Sequence, residues 1–115
     1  VKRVATLFRA ARGRAISEKI PYAFNANIQN NQYWLVNMET KETSDIHQLD
    51  QNLVISEFSD KEETFLDGVI NIFFYPQGNT SGGTLLLPSK KGEAANYLLT
   101  LDPITGKPNV EQQTR

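Results

Sequence analysis

Apolar residues recur at three- and four-residue steps near the start of the chain: Val4, Leu7, Phe8, Ala11 and Ala15, with Ile16 beside them. That spacing lines one side of a helix, so residues 1–20 are expected to form a single amphipathic helix. Ala5, Ala10, Ala11 and Ala15 raise its helix propensity, and Pro21 ends it by disfavouring helical geometry at Ile20. The stripe Val4, Leu7, Phe8, Ala11 and Ala15 is expected to pack on the rest of the protein, its alanines allowing a close backbone approach. Val1 enters the pattern with no capping residue ahead of it, so the chain is expected to be cut from something longer.

After Pro21 the period falls to two. Tyr22, Phe24, Ala26 and Ile28 alternate with smaller or polar residues, and Tyr33 to Met38 makes a second run. The polar Gln29 to Asn31 between them predicts an antiparallel hairpin, since asparagine tolerates left-handed geometry. Residues 39–52 are polar and predict a surface loop. Leu53 to Phe58 predicts a third strand, followed by the acidic connection Asp60 to Glu63. Val69 to Tyr75 is the most apolar run and is expected to form a central strand. Residues 76–83 are turn-rich and read as a hairpin connection into a short strand, Thr84 to Leu87. Lys90 to Glu93 is expected to turn, Asn96 to Leu101 to place Tyr97, Leu99 and Leu101 on one face, and Asp102 to Lys107 to form a tight turn. Asn109 to Gln112 predicts an edge strand, with the last residues frayed. The expected class is α+β: one domain over residues 1–115, a helix over 1–20 and a β-rich body of about seven strands over 22–112.

Composition narrows the chemistry. The chain has 115 residues, 39% of them hydrophobic and 22% charged, enough for one soluble globular domain without a metal or disulfide staple. It has no cysteine, which excludes a disulfide scaffold, a thiol nucleophile, a zinc ribbon and an iron–sulfur site. Its one histidine excludes a polyhistidine metal site within a single chain. No stretch approaches the ~18 apolar residues of a membrane span, and no signal-peptide pattern is present. A binding or structural module is favoured over an enzyme. The net charge of −1 conceals an asymmetry: residues 1–19 hold six basic groups and one acid, whereas residues 20–115 hold six basic groups and twelve acids.

Four features invite a chemical reading, and none sustains one. The glycines of 78–83 are followed by strand-like Thr84 to Leu87 and not by the lysine, hydroxyl residue and helix of a phosphate loop. His47, beside Asp45 and Asp50, has the chemistry of an acid–base or metal group but no spacing that requires it, and the serines show no nucleophile elbow. Asp60, Glu62, Glu63 and Asp67 supply hard oxygens without the glycine and alternation of a calcium loop, so a solvated acidic turn is expected. Arg9, Arg12 and Lys19, or Lys2 and Arg9, fall along one side of the helix where phosphates would meet them. The pI of 5.8 lies well below the range of nucleic-acid-binding domains, and the acidic body would repel a duplex. No cofactor, metal or small-molecule substrate is expected, and nucleic acid is disfavoured.

Three segments resemble a known family, in matching order and over nearly the whole chain. Ala11-Arg12-Gly13-Arg14-Ala15-Ile16 is similar to the helix end that precedes the first strand in H-type pseudopilins. Ile72 to Leu85, with Pro76, Gly78, Gly82 and Gly83, resembles that family's Phe-x-Pro-x-Gly-x-x-x-Gly-Gly strand–loop–strand. Asp102, Thr105 and Gly106 resemble its closing Asp-x-x-Thr-Gly-Arg turn, with Lys107 in place of arginine. The chain thus resembles the GspH/FimT-like group of type II secretion minor pseudopilins and type IV minor pilins.

The resemblance implies a pilin-like fold, with a long amino-terminal helix packed on antiparallel sheet. It implies no enzymatic activity. It implies the periplasmic domain of a single-pass bacterial inner-membrane protein, whose membrane helix and prepilin-peptidase site lie upstream of Val1. The partners would be other pseudopilins of one filament and, through the upstream helix, the inner membrane. Such filaments help to export folded proteins across the outer membrane. The helix side including Arg3 and Arg14 is the expected assembly face. The alternative is a type IV minor pilin that primes pilus assembly or binds DNA for uptake. Without the upstream helix the chain is expected to sediment as a monomer.

Overall fold

Helical spacing at the start of the chain produces one helix, α1 (Lys2–Glu18), in a computed structural model that describes residues 2–49, 53–88 and 95–114. The helix stops two residues short of Ile20. Lys19 takes a left-handed φ of 58° and turns the chain out of the helix before Pro21 acts. Val4, Phe8, Ala11 and Ala15 are buried as their spacing predicts, and Leu7 packs on the core from a half-buried position. Ala5 joins the buried face, whereas Ile16 lies outside it, 40% exposed.

Nine strands follow among the described residues, two more than the apolar pattern shows, arranged in two antiparallel sheets. The first holds β1 (Tyr22–Asn27), β2 (Gln32–Asn37), β3 (His47–Gln48) and β6 (Val69–Phe74), in the order β3-β2-β1-β6. β1 and β2 form the expected hairpin, Tyr22 opposite Asn37 and Asn27 opposite Gln32, and Asn31 supplies the left-handed turn residue at φ 55°. The second sheet holds β4 (Glu57–Ser59), β5 (Thr64–Phe65), β7 (Gly83–Pro88), β8 (Ala95–Leu101) and β9 (Pro108–Thr114), in the order β5-β4-β7-β8-β9. β9 is the expected edge strand, and it is paired with β8 as far as Thr114 rather than frayed there.

Three expectations are corrected. Val69 to Tyr75 gives an edge strand, not a central one: β6 pairs with β1 alone among the named strands. Its apolar run is two-sided, with Ile70, Ile72 and Phe74 buried while Val69 and Asn71 face out. The described part of the polar loop, residues 39–49, folds back along β2, through β3 and a Val36–Thr43 bridge. Its exposed side chains carry no alternation because backbone hydrogen bonds hold it, Asn37 N to Glu42 O and Ser44 N to Leu35 O among them. The glycine-rich 76–83 segment begins as a hairpin turn, with one Phe74–Thr80 bridge, and then leaves for the other sheet. Leu53 to Phe58 is extended, but only its end belongs to β4; the Lys90 to Glu93 turn lies outside the described residues.

One core serves both sheets and the helix. Phe8 meets Phe24 edge-on, with ring centres 4.6 Å apart, and Phe74 lies 5.8 Å away on its other side. Phe58, Leu85, Leu87, Leu99 and Leu101 extend the same cluster from the second sheet. Tyr97 packs against it from a half-buried position, so the predicted face of β8 is the inward one.

Gly83 marks where the chain enters the second sheet after β6. Its φ is 132°, and a Cβ there would stand 2.3 Å from the Phe58 ring. Gly83→Ala is therefore expected to cost about 2–4 kcal/mol through ring displacement and backbone strain. Gly13 lies on the exposed side of α1 with no atom within 4 Å of a Cβ. Gly13→Ala should stabilise by about 0.5–1 kcal/mol. Urea denaturation of both variants checks the pair; equal shifts would contradict the packing.

Candidate functional site

At 3.6 residues per turn, α1 divides its surface into three lines. Opposite the buried face lie Thr6, Gly13 and Ser17, all small and all exposed, with exposed Ala10 beside them. Arg3 and Arg14, the expected assembly residues, are both exposed and share the flank that faces β2. Arg3 borders a cleft of about 450 Å³ with Thr6, Leu7, Ala10, Tyr33 and His47. Arg14 borders a smaller one of about 120 Å³ formed with Tyr22, Leu35, Asn37 and the returning 42–44 segment. Arg9 and Arg12 occupy the opposite flank, towards β9, where they line a third cleft with Gly106, Lys107 and Pro108. The outermost surface of the helix is thus small side chains between two basic flanks.

The structure brings the three resembling segments into one contact. Arg12 is half-buried, and its Nε donates to Gly78 O at 3.2 Å and to Thr105 O at 2.9 Å. Gly106, held at φ 71°, lies so close that a Cβ would meet Gly78 O at 2.5 Å and Arg12 Cδ at 3.0 Å. Asp102 builds the turn beneath: its Oδ1 accepts from the Ile104 and Thr105 amides, and its carbonyl accepts from Gly106 N at 2.8 Å. Thr80 N donates to Pro103 O at 2.9 Å, and Gly82 packs on the Pro103 ring. Pro76 is half-buried at the head of the loop, whose first turn closes through Gly78 N to Tyr75 O. Ile16, outside the core, covers Gly78.

Two members of this contact escape a reading by spacing. Arg12 looks like one more solvated cation of a basic helix, because its carbonyl acceptors lie 66 and 93 residues away in the chain. Thr80, at 4% exposure, is the buried polar residue of the loop; its hydroxyl donates to Phe73 O and accepts from Gly82 N. Its sequence signal is no more than a hydroxyl residue two positions ahead of a glycine pair.

The remaining candidates stay apart. His47 is exposed and stacks on Tyr33, ring centres 5.3 Å apart; Asp45 is exposed, and Asp50 lies outside the described residues. Asp60 uses one oxygen to accept from the Glu62 and Glu63 amides, both at 2.8 Å, which holds its pKa below the ordinary carboxylate value. Glu62, Glu63 and Asp67 are exposed, and no three His, Asp or Glu side chains converge on a metal-sized site among the described residues. No helix among the described residues is long and apolar enough to cross a membrane.

A tyrosine ties the end of α1 to the first hairpin. Tyr22 OH donates to Glu18 Oε1 at 2.6 Å and accepts from Asn37 Nδ2 at 3.3 Å. The bond to Glu18, followed by burial, raises the Tyr22 pKa above its ordinary 10.0. Compared with known proteins, the chain matches no family model, no curated protein and no solved structure.

Arg12→Met would leave two carbonyls without their donor and is expected to cost about 2–3 kcal/mol, read by urea denaturation. A loss confined to a few tenths would show that the contact is incidental. Tyr22 is predicted to deprotonate above the ordinary tyrosine value of 10.0 in a titration followed at 295 nm. Because the folded state keeps its proton longer, the stabilisation is present below pH 10 and disappears as pH rises through the folded value. Tyr22→Phe should remove the late phase.

Proposed function

We propose that the chain is a structural minor pseudopilin of a type II secretion system, with the pilin-like fold that its three motifs imply. It would stand in the periplasm below an upstream membrane helix and take its place in a filament of related subunits. It would perform no catalysis. The observation that carries this reading is the convergence of the resembling segments on Arg12. Motifs that met by chance would have no reason to share one contact, whereas motifs belonging to a common architecture would.

The helix surface supports the same reading. A filament built around amino-terminal helices needs neighbouring backbones to come close, and small side chains permit that. Thr6, Ala10, Gly13 and Ser17 form such a line, and nothing in the described fold covers it. The type IV minor pilin that binds DNA remains the second reading, favoured by one observation: Arg3, Arg9 and Arg14 are exposed and form no ion pair among the described residues.

The first test is the encoded chain upstream of Val1. A short leader ending in glycine, then Phe-Thr-Leu-x-Glu and about 20 apolar residues, is the expected result. A start codon at Val1, or a cleavable signal peptide without that helix, would overturn the filament reading. A second test uses Gly13→Trp, which the open surrounds of Gly13 should accommodate without unfolding. In cells that depend on the protein, the variant should lower secretion at least tenfold while its melting curve stays near that of the parent. Undiminished secretion would exclude the small-residue line as the contact.

A further inference from the structure

The flank of α1 that faces β9 holds a positive cluster with no carboxylate partner among the described residues. A cleft of about 370 Å³ opens between the helix and the start of β9, lined by Arg9, Arg12, Gly106, Lys107 and Pro108. Three of those residues are cations, and none of them is paired with a carboxylate among the described residues. Glu111, the acid nearest in sequence to Lys107, is exposed on β9 and makes no ion pair with these cations among the described residues, and Asp102 uses one side-chain oxygen on the amides of its own turn. Like charges gathered in a concave site repel one another, and an anion entering the site removes that repulsion.

Arg12 is built to meet such an anion. Both of its bonds to the turns run through Nε, so the Nη1/Nη2 end of the guanidinium takes no part in them. Nη2 lies beside Gly78, 3.4 Å from where a Cβ would stand, and neither Nη makes a hydrogen bond among the described residues, so the pair keeps donors spaced for the two oxygens of one carboxylate. The carbonyls of Gly78 and Thr105 fix the guanidinium in place before any ligand arrives, which reduces the ordering cost of binding. Arg9 and Lys107 stand exposed at the cleft and add long-range attraction.

We propose that this cleft is a docking site for an acidic segment of a partner protein, with an Asp or Glu carboxylate seated on Arg12 between Arg9 and Lys107. A protein segment fits better than nucleic acid for two reasons. The cleft is concave, at the lower end of the ~300–1,000 Å³ range of ligand pockets, and its Pro108 and Gly106 walls suit an inserted side chain. A duplex offers phosphates on a convex cylinder, and residues 20–115, with twelve acids against six basic groups, would repel it. The inference stands apart from the filament reading, because the cleft can be tested in the isolated chain whatever lies upstream.

The experiment follows backbone amide and Arg Nε–H signals by NMR at low salt. The probes are acetyl-tetraglutamate amide, acetyl-tetraglutamine amide, sodium phosphate and a 12-base-pair DNA duplex. The expected result is a saturable shift with the glutamate peptide, centred on Arg12, Gly106 and Lys107, absent with the glutamine peptide and weakened by added sodium chloride. Arg9→Gln/Lys107→Gln, whose side chains lie outside the Arg12 bonds, should raise the half-saturating concentration at least tenfold with the spectrum otherwise unchanged. Arg3→Gln/Arg14→Gln, equal in charge lost but on the other flank, should change it less than twofold. Shifts that never saturate, or that respond equally to both double variants, would overturn the proposal. Phosphate saturating the same signals at a lower concentration than the peptide would assign the cleft to a free anion. The duplex doing so would assign it to nucleic acid; either result rejects the docking site.

Discussion

Arg12 leaves α1 and donates through one nitrogen to carbonyls that lie 66 and 93 residues further along the chain. Both acceptors sit in turns, where backbone carbonyls lack the regular partners of a sheet. A charged donor shared between them satisfies both and fixes their relative positions. Gly106 makes the arrangement geometrically possible, since any side chain there would collide with Gly78 O. The loop that carries the chain from β6 to β7 and the turn that leads into β9 are therefore held to the same point on the helix. Arg12 adds a directional polar tie between α1 and the second sheet to the apolar core that they share, whereas the aromatic contacts of α1 are made with the first sheet.

The same contact governs what the helix can offer to partners. With Val4, Phe8, Ala11 and Ala15 committed to the core, the side chains left outside are small or basic. The body beneath them carries an excess of acid, so the molecule has a positive helix on a negative sheet layer. Such a distribution steers association by orientation more than by strength, and it weakens with salt. The proposed filament role and the basic cleft both draw on this division, the first through the small outer line and the second through the flank beside β9.

Individual elements show why some of this was legible in the sequence and some was not. The β1–β2 hairpin and the Asp102–Lys107 turn were legible because short-range chemistry specifies them: alternation over six residues, an asparagine at φ 55°, and an Asp side chain capping its own turn. β3 was not, since two exposed polar residues held by backbone bonds carry no period. The sheet position of β6 is not legible, because a strongly apolar strand reads as central wherever it lies. Val69 is 51% exposed despite its hydrophobicity. The 76–83 loop was half legible: its turn residues predicted the reversal, but not that the strands on either side would part into different sheets.

By itself, then, the sequence determined the helix, its buried line, the class of fold and the local turns, because each follows from interactions between residues close in the chain. It also set the charge asymmetry, which no folding can change. The sheet membership of β6 and β7, the three-way contact at Arg12 and the basic cleft arise only once the chain has folded. Those depend on which distant segments meet. A side chain such as Arg12 carries no mark of the carbonyls that will accept its proton until the fold has brought them within 3 Å or so.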